Sequence, residues 1–236
     1  MKQKIKRFFQ TDDLYKENIA TYTKVDGIIA VVYYIIFMIT YFIMGRVYAE
    51  KRIYLGIICN ISLAVLCIII VWLRNQKIST LGFNYRKIKQ SVIFGVILGT
   101  LIVLTNNVLP GITSGYHLNQ LTQILNNTFY YFIIIAFVEE IAFRGFIQTR
   151  IYGLIKNEII AIITVSLMFS LMHIPFQMAM SGTTILSFLS SNVTWLILLF
   201  FWHIIFNFLH RKYNCIFTNT IFHGFLDWGN SLFVSP

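Results

Sequence analysis

Residues 128–148 read TFYYFIIIAFVEEIAFRGFIQ, and this stretch decides the fold. It is long enough to cross a bilayer, which takes about 20 apolar helical residues. Inside it stand two adjacent carboxylates, Glu139 and Glu140, and one cation, Arg144. A charge at mid-bilayer costs several kcal/mol, about 2.5–3.5 on insertion scales. Ordinary packing needs no such trio. The three groups are either a structural knot or a reaction centre.

The whole chain agrees with a membrane setting. Of its 236 residues 57% are hydrophobic and only 12% charged, whereas a soluble domain is nearer a quarter charged. Mean hydropathy is +0.71. The fold class expected is all-α: a polytopic transmembrane helical bundle of about seven spans (seven to eight helices), with a cytoplasmic N-terminus. The formal net charge of +10 does not indicate nucleic acid. The basic residues cluster between apolar spans, as they do in cytoplasmic loops of membrane proteins. Cys59, Cys67 and Cys215 lie in or beside apolar stretches and are odd in number, so they read as packing thiols. No cleavage site follows the first span, which is expected to remain as a signal anchor.

Spans are expected at about 27–45, 53–73, 91–109, 128–147, 159–178, 193–209 and 215–233. Lysines and arginines fall mostly in 1–25, 74–90 and the loops holding Arg150, Lys156, Arg211 and Lys212, which are therefore assigned to the cytoplasm. Residues 1–25 form a basic cytoplasmic or interfacial tail, and 26–236 a single integral membrane domain. Gly95 and Gly99 have the spacing that lets two membrane helices approach closely. His117 is expected to be a solvated loop residue. Pro175 ends or kinks the fifth span, and 179–192 is expected to be an outer loop or a partial re-entrant segment.

Ionisable groups in membrane helices face the protein interior and pair with one another. One polar pocket built from the fourth, fifth and seventh spans would gather Glu139, Glu140, His173, His223 and Asp227. Glu140 and Arg144 are four residues apart and share a helix face, so they can pair. Glu139 is rotated from Glu140 by about 100°, which leaves one carboxylate free for the pocket. His223 and Asp227 also share a face, as do Phe169 and His173. A carboxylate beside histidines in a dry pocket suits activation of water, with histidine donors to hold water or a developing oxyanion. His203 lies in an aromatic run and His210 beside Arg211 and Lys212, so both read as packing or interfacial residues.

Taken in order, Glu139-Glu140-x-x-x-Arg144, Phe169-x-x-x-His173 and His223-x-x-x-Asp227, each in a membrane helix, resemble the CPBP family. These are the CAAX-protease and bacteriocin-processing (Abi) intramembrane proteins, which include the type II CAAX prenyl endopeptidases. The resemblance covers about residues 80–233. It implies a glutamate-dependent intramembrane endopeptidase with no metal and no cofactor. By that resemblance Glu139 is the general base, His173 helps hold the water, and His223 with Asp227 forms the oxyanion hole. Glu140, Arg144 and Phe169 are then supporting residues. One departure is Asp227, where the family often has asparagine. An ionised aspartate cannot donate a hydrogen bond. Asp227 then either carries a proton or serves only to orient His223.

The expected partners are a membrane-associated peptide or protein substrate and the lipid bilayer, with no nucleic acid. Isoleucine and asparagine enrichment hints at an AT-rich bacterial genome, hence a bacterial plasma membrane and processing of, or immunity to, pheromone or bacteriocin peptides. Two other classes compete. The same carboxylates and histidines could hold a divalent ion, although no His-Glu-x-x-His motif is present. A non-enzymatic immunity protein or a transporter would need no hydrolysis, and the chain lacks the two similar halves common in transporters.

Overall fold

A computed structural model describes residues 10–235, and Lys2, Lys4, Lys6 and Arg7 of the expected basic tail lie outside them. Among the described residues the chain is almost wholly helical. A short helix α1 (Asp13–Ala20) precedes two long apolar helices, α2 (Lys24–Lys51) and α3 (Gly56–Leu73). Thr23 and Asp26 form a capping box that starts α2, satisfying backbone donors that would otherwise be orphaned. Next come α4 (Ile88–Val103), a π-helical stretch (Leu104–Val108) and α5 (Leu109–Thr113).

The acidic stretch lies in one continuous helical rod, 121–153. It begins as α6 (Leu121–Phe129), passes through π-helical Tyr130–Phe137 and Glu140–Ile147, and ends in α7 (Gln148–Arg150) and a 3₁₀ turn (Ile151–Gly153). Glu139 sits between the two π segments. Such i→i+5 turns are rare, are frequent at functional sites, and turn the following side chains away from the α-helical register.

Asn157 caps α8 (Glu158–Leu171), and His173 forms the corner before α9 (Ile174–Ser181), with Pro175 in its first turn. The fifth span is thus bent at Met172–His173, as expected from Pro175, because a proline supplies no backbone donor for the preceding helix. The expected loop 179–192 is largely helical: Gly182 and Thr183 turn the chain, and α10 (Ile185–Tyr213) begins at once. The last helix, α11 (Phe217–Gly229), is followed by β2 (Phe233–Val234), which pairs antiparallel with β1 (His117–Leu118). His117 is exposed, as expected for a loop residue, but it sits in this two-strand clasp.

Among the described residues, five helical stretches are long and apolar enough to cross a membrane: 24–51, 56–73, 88–113, 158–181 and 185–213. The 121–153 rod, broken by π turns, and α11, with 13 residues, are not among them. At 1.5 Å per residue α11 is roughly 20 Å long, short of a hydrocarbon core of about 30 Å. The chain is a multi-pass membrane protein, and the rod is buried over 138–153 but exposed towards its N-terminal end.

What positions α11 is its close approach to α4. A Cβ on Gly95 would lie 2.8 Å from the Thr218 carbonyl oxygen, and one on Gly99 would run into the Phe225 ring. Ser91 and Thr218 exchange a hydroxyl hydrogen bond of 2.6 Å at the same seam. The glycine spacing therefore brings together the helix that carries His223 and its neighbour. Gly99→Val is expected to lower the melting temperature of the purified protein, because overpacking a tight contact costs about 1–3 kcal/mol.

One end of the bundle is laced by charge. Asp12, which caps α1, accepts hydrogen bonds from Arg86 and Lys87, and its backbone N–H donates to the Arg211 carbonyl oxygen. Asp26 accepts from Arg74 and Gln76, and Gln76 in turn accepts from the buried Arg150. Burial pushes the Asp12 carboxyl up, but the hydrogen bonds and charges of Lys87 and Arg86 outweigh it and hold it below the ordinary carboxylate value. A group with a depressed folded pKa stabilises the fold above its unfolded pKa and loses that contribution as pH falls through the folded value. The clasp on α1 should therefore hold at neutral pH and open in acid below the usual carboxylate range. Limited proteolysis at Lys16 checks this: cleavage should accelerate in acid, and in Asp12→Asn already at neutral pH.

Candidate active site

The site forms where the rod, α8, α10 and α11 meet. Glu140 is its hub. It is fully buried, lies 3.0 Å from Nη1 of Arg144, and its Oε1 accepts from Nδ1 of His223 at 3.0 Å. Its Oε2 accepts from Nδ2 of Asn219 at 3.1 Å. Asn219 also donates to the Phe206 carbonyl oxygen at 2.7 Å, tying Glu140 to α10. The Arg144 guanidinium lies over the Phe169 ring at 4.1 Å and the Phe206 ring at 4.7 Å. A buried cation is thus sandwiched by two aromatic faces, a favourable setting when desolvated.

Glu139 is in a different state. It is buried, but its Oε2 has no hydrogen-bond partner among the described residues. The nearest charge partner is Nε2 of His223 at 3.8 Å. The same Nε2 lies 3.4 Å from Oδ2 of Asp227, so His223 faces three carboxylates. Because an ionised carboxylate only accepts, the contact to Glu140 puts a hydrogen on Nδ1. Nε2 then faces Glu139 and Asp227, and a bare nitrogen lone pair would be repelled by both. One proton is therefore held among Nε2, Glu139 and Asp227. The His223 ring is fixed by stacking on Phe206, with centroids 5.2 Å apart.

His173 stands one aromatic layer away. Its Nδ1 donates to the Phe169 carbonyl oxygen at 2.9 Å, which leaves Nε2 as the ring atom for other contacts. Its ring meets Phe169 edge-on at 5.2 Å and Trp195 at 5.3 Å. Phe169 is the wall between His173 and Arg144. A cleft of about 190 Å³ opens here, lined by Phe169, Trp195, Trp202, Phe206, His223 and Asp227.

The fold thus brings Glu139, Glu140, Arg144, His223 and Asp227 into contact range, with Phe169 and His173 adjacent. Three points differ from the sequence reading. The sixth expected span, α10, supplies much of the pocket wall. His223 is hydrogen-bonded to Glu140, a contact the motifs did not announce. His203 is no bare packing residue, since its Nε2 meets Oε1 of Gln148 at 3.1 Å, and His210 is buried against Tyr15 rather than placed at an interface. Asn219 was missed. Its signal was the spacing 219, 223, 227, three polar residues at four-residue steps on one face.

No curated protein and no solved structure matches the chain. A family model does, described as type II CAAX prenyl endopeptidase Rce1-like, and it covers residues 121–229. The matched stretch begins with the rod and ends with α11, and it takes in every site residue named from the motifs. Residues 121–229, somewhat less than half of the chain, are thus similar to the Rce1-like domain of type II CAAX prenyl endopeptidases.

Proposed function

We propose that this chain is an intramembrane glutamic endopeptidase that hydrolyses a membrane-associated peptide or protein, with Glu139 as the base that activates water. One observation carries the reading. Of two adjacent buried glutamates, one is fully engaged by Arg144, His223 and Asn219, and the other has an unpartnered oxygen. A buried carboxylate oxygen with nothing to accept from is poised for a water proton.

In the proposed cycle Glu139 takes a proton from water as the oxygen attacks the scissile carbonyl. The carbonyl π bond opens to an oxyanion, held by the N–H of His223 Nε2 and, where it carries a proton, by Asp227. Collapse of the tetrahedral intermediate breaks the C–N bond, and the proton on Glu139 passes to the leaving amine. His173, through Nε2, accepts from the attacking water and orients it. Glu140 keeps the His223 ring in register through Nδ1, and Arg144 compensates its charge.

The aromatic cleft suits a segment with apolar side chains, unwound so that its backbone reaches His223. A bacterial plasma membrane agrees with the isoleucine- and asparagine-rich composition, and a pheromone or bacteriocin peptide as substrate rests on the resemblance to the CPBP family. The test is hydrolysis by the full chain in liposomes of membrane-anchored peptides, prenylated and unprenylated, with Glu139→Ala/His173→Ala as the control. Cleavage that survives in the double variant would sink the reading, and cleavage abolished by chelators would favour a metal-dependent one.

A further inference from the structure

On the side of Glu140 nearer α1, two facing helices carry matching polar stripes. Arg144, Gln148 and Tyr152 follow one another at four-residue steps on the rod, and His203, Asn207 and His210 at steps of four and three on α10. All six are buried, five of them almost completely. Buried polar atoms are normally paired. Here, among the described residues, hydrogen-bond partners are missing for Nδ1 of His203, Oδ1 of Asn207 and both ring nitrogens of His210. The Arg144 guanidinium is close to Glu140 but makes no aligned hydrogen bond.

These atoms form one seam. Gln148 meets His203 at 3.1 Å. The Tyr15 ring meets His210 at 5.8 Å, and the Tyr152 hydroxyl interacts by hydrogen bonding with both Gln148 and Tyr15. His210 is within electrostatic range of Glu140 and Arg144. At its other end the seam reaches Arg211 and Glu158, which pair with each other and border a polar pocket of about 180 Å³ together with Gln10, Thr11 and Lys212.

The seam is poorly explained as helix glue, which works by interhelical hydrogen bonds that most of these atoms do not make. It also suits no ion. The unpaired set mixes donors (the Arg144 N–H groups) with acceptors (Asn207 Oδ1) and groups that can be either (the histidines). A cation would want acceptors alone and an anion donors alone. Water both donates and accepts, and is small enough to serve atoms spaced along two helices.

We propose that this seam is a water-binding channel leading from the polar pocket at Arg211 to the Glu140–His223 cluster. Its role as the supply of hydrolytic water rests on the endopeptidase reading. A peptide seated in the aromatic cleft covers that side of the site, and the water consumed in each turnover has to arrive from another.

Radiolytic hydroxyl-radical labelling of the full chain in lipid nanodiscs tests the channel, because radicals formed from water held inside a protein oxidise the side chains beside it. Tyr15, at 1% exposure, and Tyr152, at 4%, should label several-fold faster than Tyr33, also at 1% and embedded in the apolar core. They should approach the rate of Tyr85, which is 70% exposed. Labelling of Tyr15 and Tyr152 no faster than Tyr33 overturns the channel. Asn207→Leu, which places methyl groups in the seam, tests supply: kcat should fall several-fold with KM unchanged, and an unchanged kcat overturns that role. The labelling reads the channel whether or not the chain hydrolyses peptides, so the two readings fail with different results.

Discussion

Glu140→Ala will destabilise this protein far more than any substitution of its neighbour. The variant should accumulate poorly in membranes and melt well below the wild-type chain in detergent. Three groups depend on that carboxylate. Arg144 would be left as a buried cation with only aromatic faces beside it. Nδ1 of His223 and Nδ2 of Asn219 would each lose an acceptor. Breaking a buried ion pair by removing one partner costs about 3–5 kcal/mol, against a total stability of about 5–15 kcal/mol for a typical domain. Glu140→Gln keeps an acceptor for His223 and should fall between. Glu140→Ala combined with Arg144→Met should recover part of the loss, since removing both members of a buried pair is much less costly than removing one. A double-mutant cycle on melting temperatures measures the coupling. If Glu140→Ala melts like the wild type, Glu140 is not the structural hub.

Glu139→Gln should do the reverse. The substitution is isosteric and removes only the charge and the basicity. Because Oε2 of Glu139 has no hydrogen-bond partner to lose, and its carboxylate is buried beside that of Glu140, the folded protein should melt no lower and should accumulate like the wild type. Hydrolysis of a cognate membrane peptide should fall by about 10²–10⁴-fold, the usual contribution of a positioned general base. The loss should appear in kcat, because Glu139 does not line the aromatic cleft. Two adjacent glutamates would then separate cleanly, one by melting temperature and one by turnover. Glu139→Gln with wild-type kcat would remove the base from the mechanism.

The sequence was informative where contacts lie within one helix. The step of four residues fixed the Glu140–Arg144 and His223–Asp227 pairs before any tertiary arrangement was known, because helical periodicity alone places such residues on one face. The glycine spacing at 95 and 99 likewise announced a close helix contact, although not that its partner is the helix carrying His223. The three ordered motifs lie within the stretch that the family model matches.

Contacts between helices were not legible in that way. Glu140 and His223 are separated by 83 positions, and Glu140 and Asn219 by 79. Their meeting depends on the crossing and axial register of the rod against α11, which packing against α4 and α10 decides. Gln148 and His203, 55 positions apart, were hidden for the same reason, so His203 looked partnerless along its own helix. The π turns on either side of Glu139 add a second cause. Hydropathy and α-periodicity carry no sign of an i→i+5 turn, yet such turns change where the acidic pair points. The amino-acid sequence by itself thus determined a helical membrane protein with a costly acidic pair and the local face each motif shares. Only the tertiary structure decided which of Glu139 and Glu140 is held by three partners and which is left open, because that choice is made by side chains from other helices.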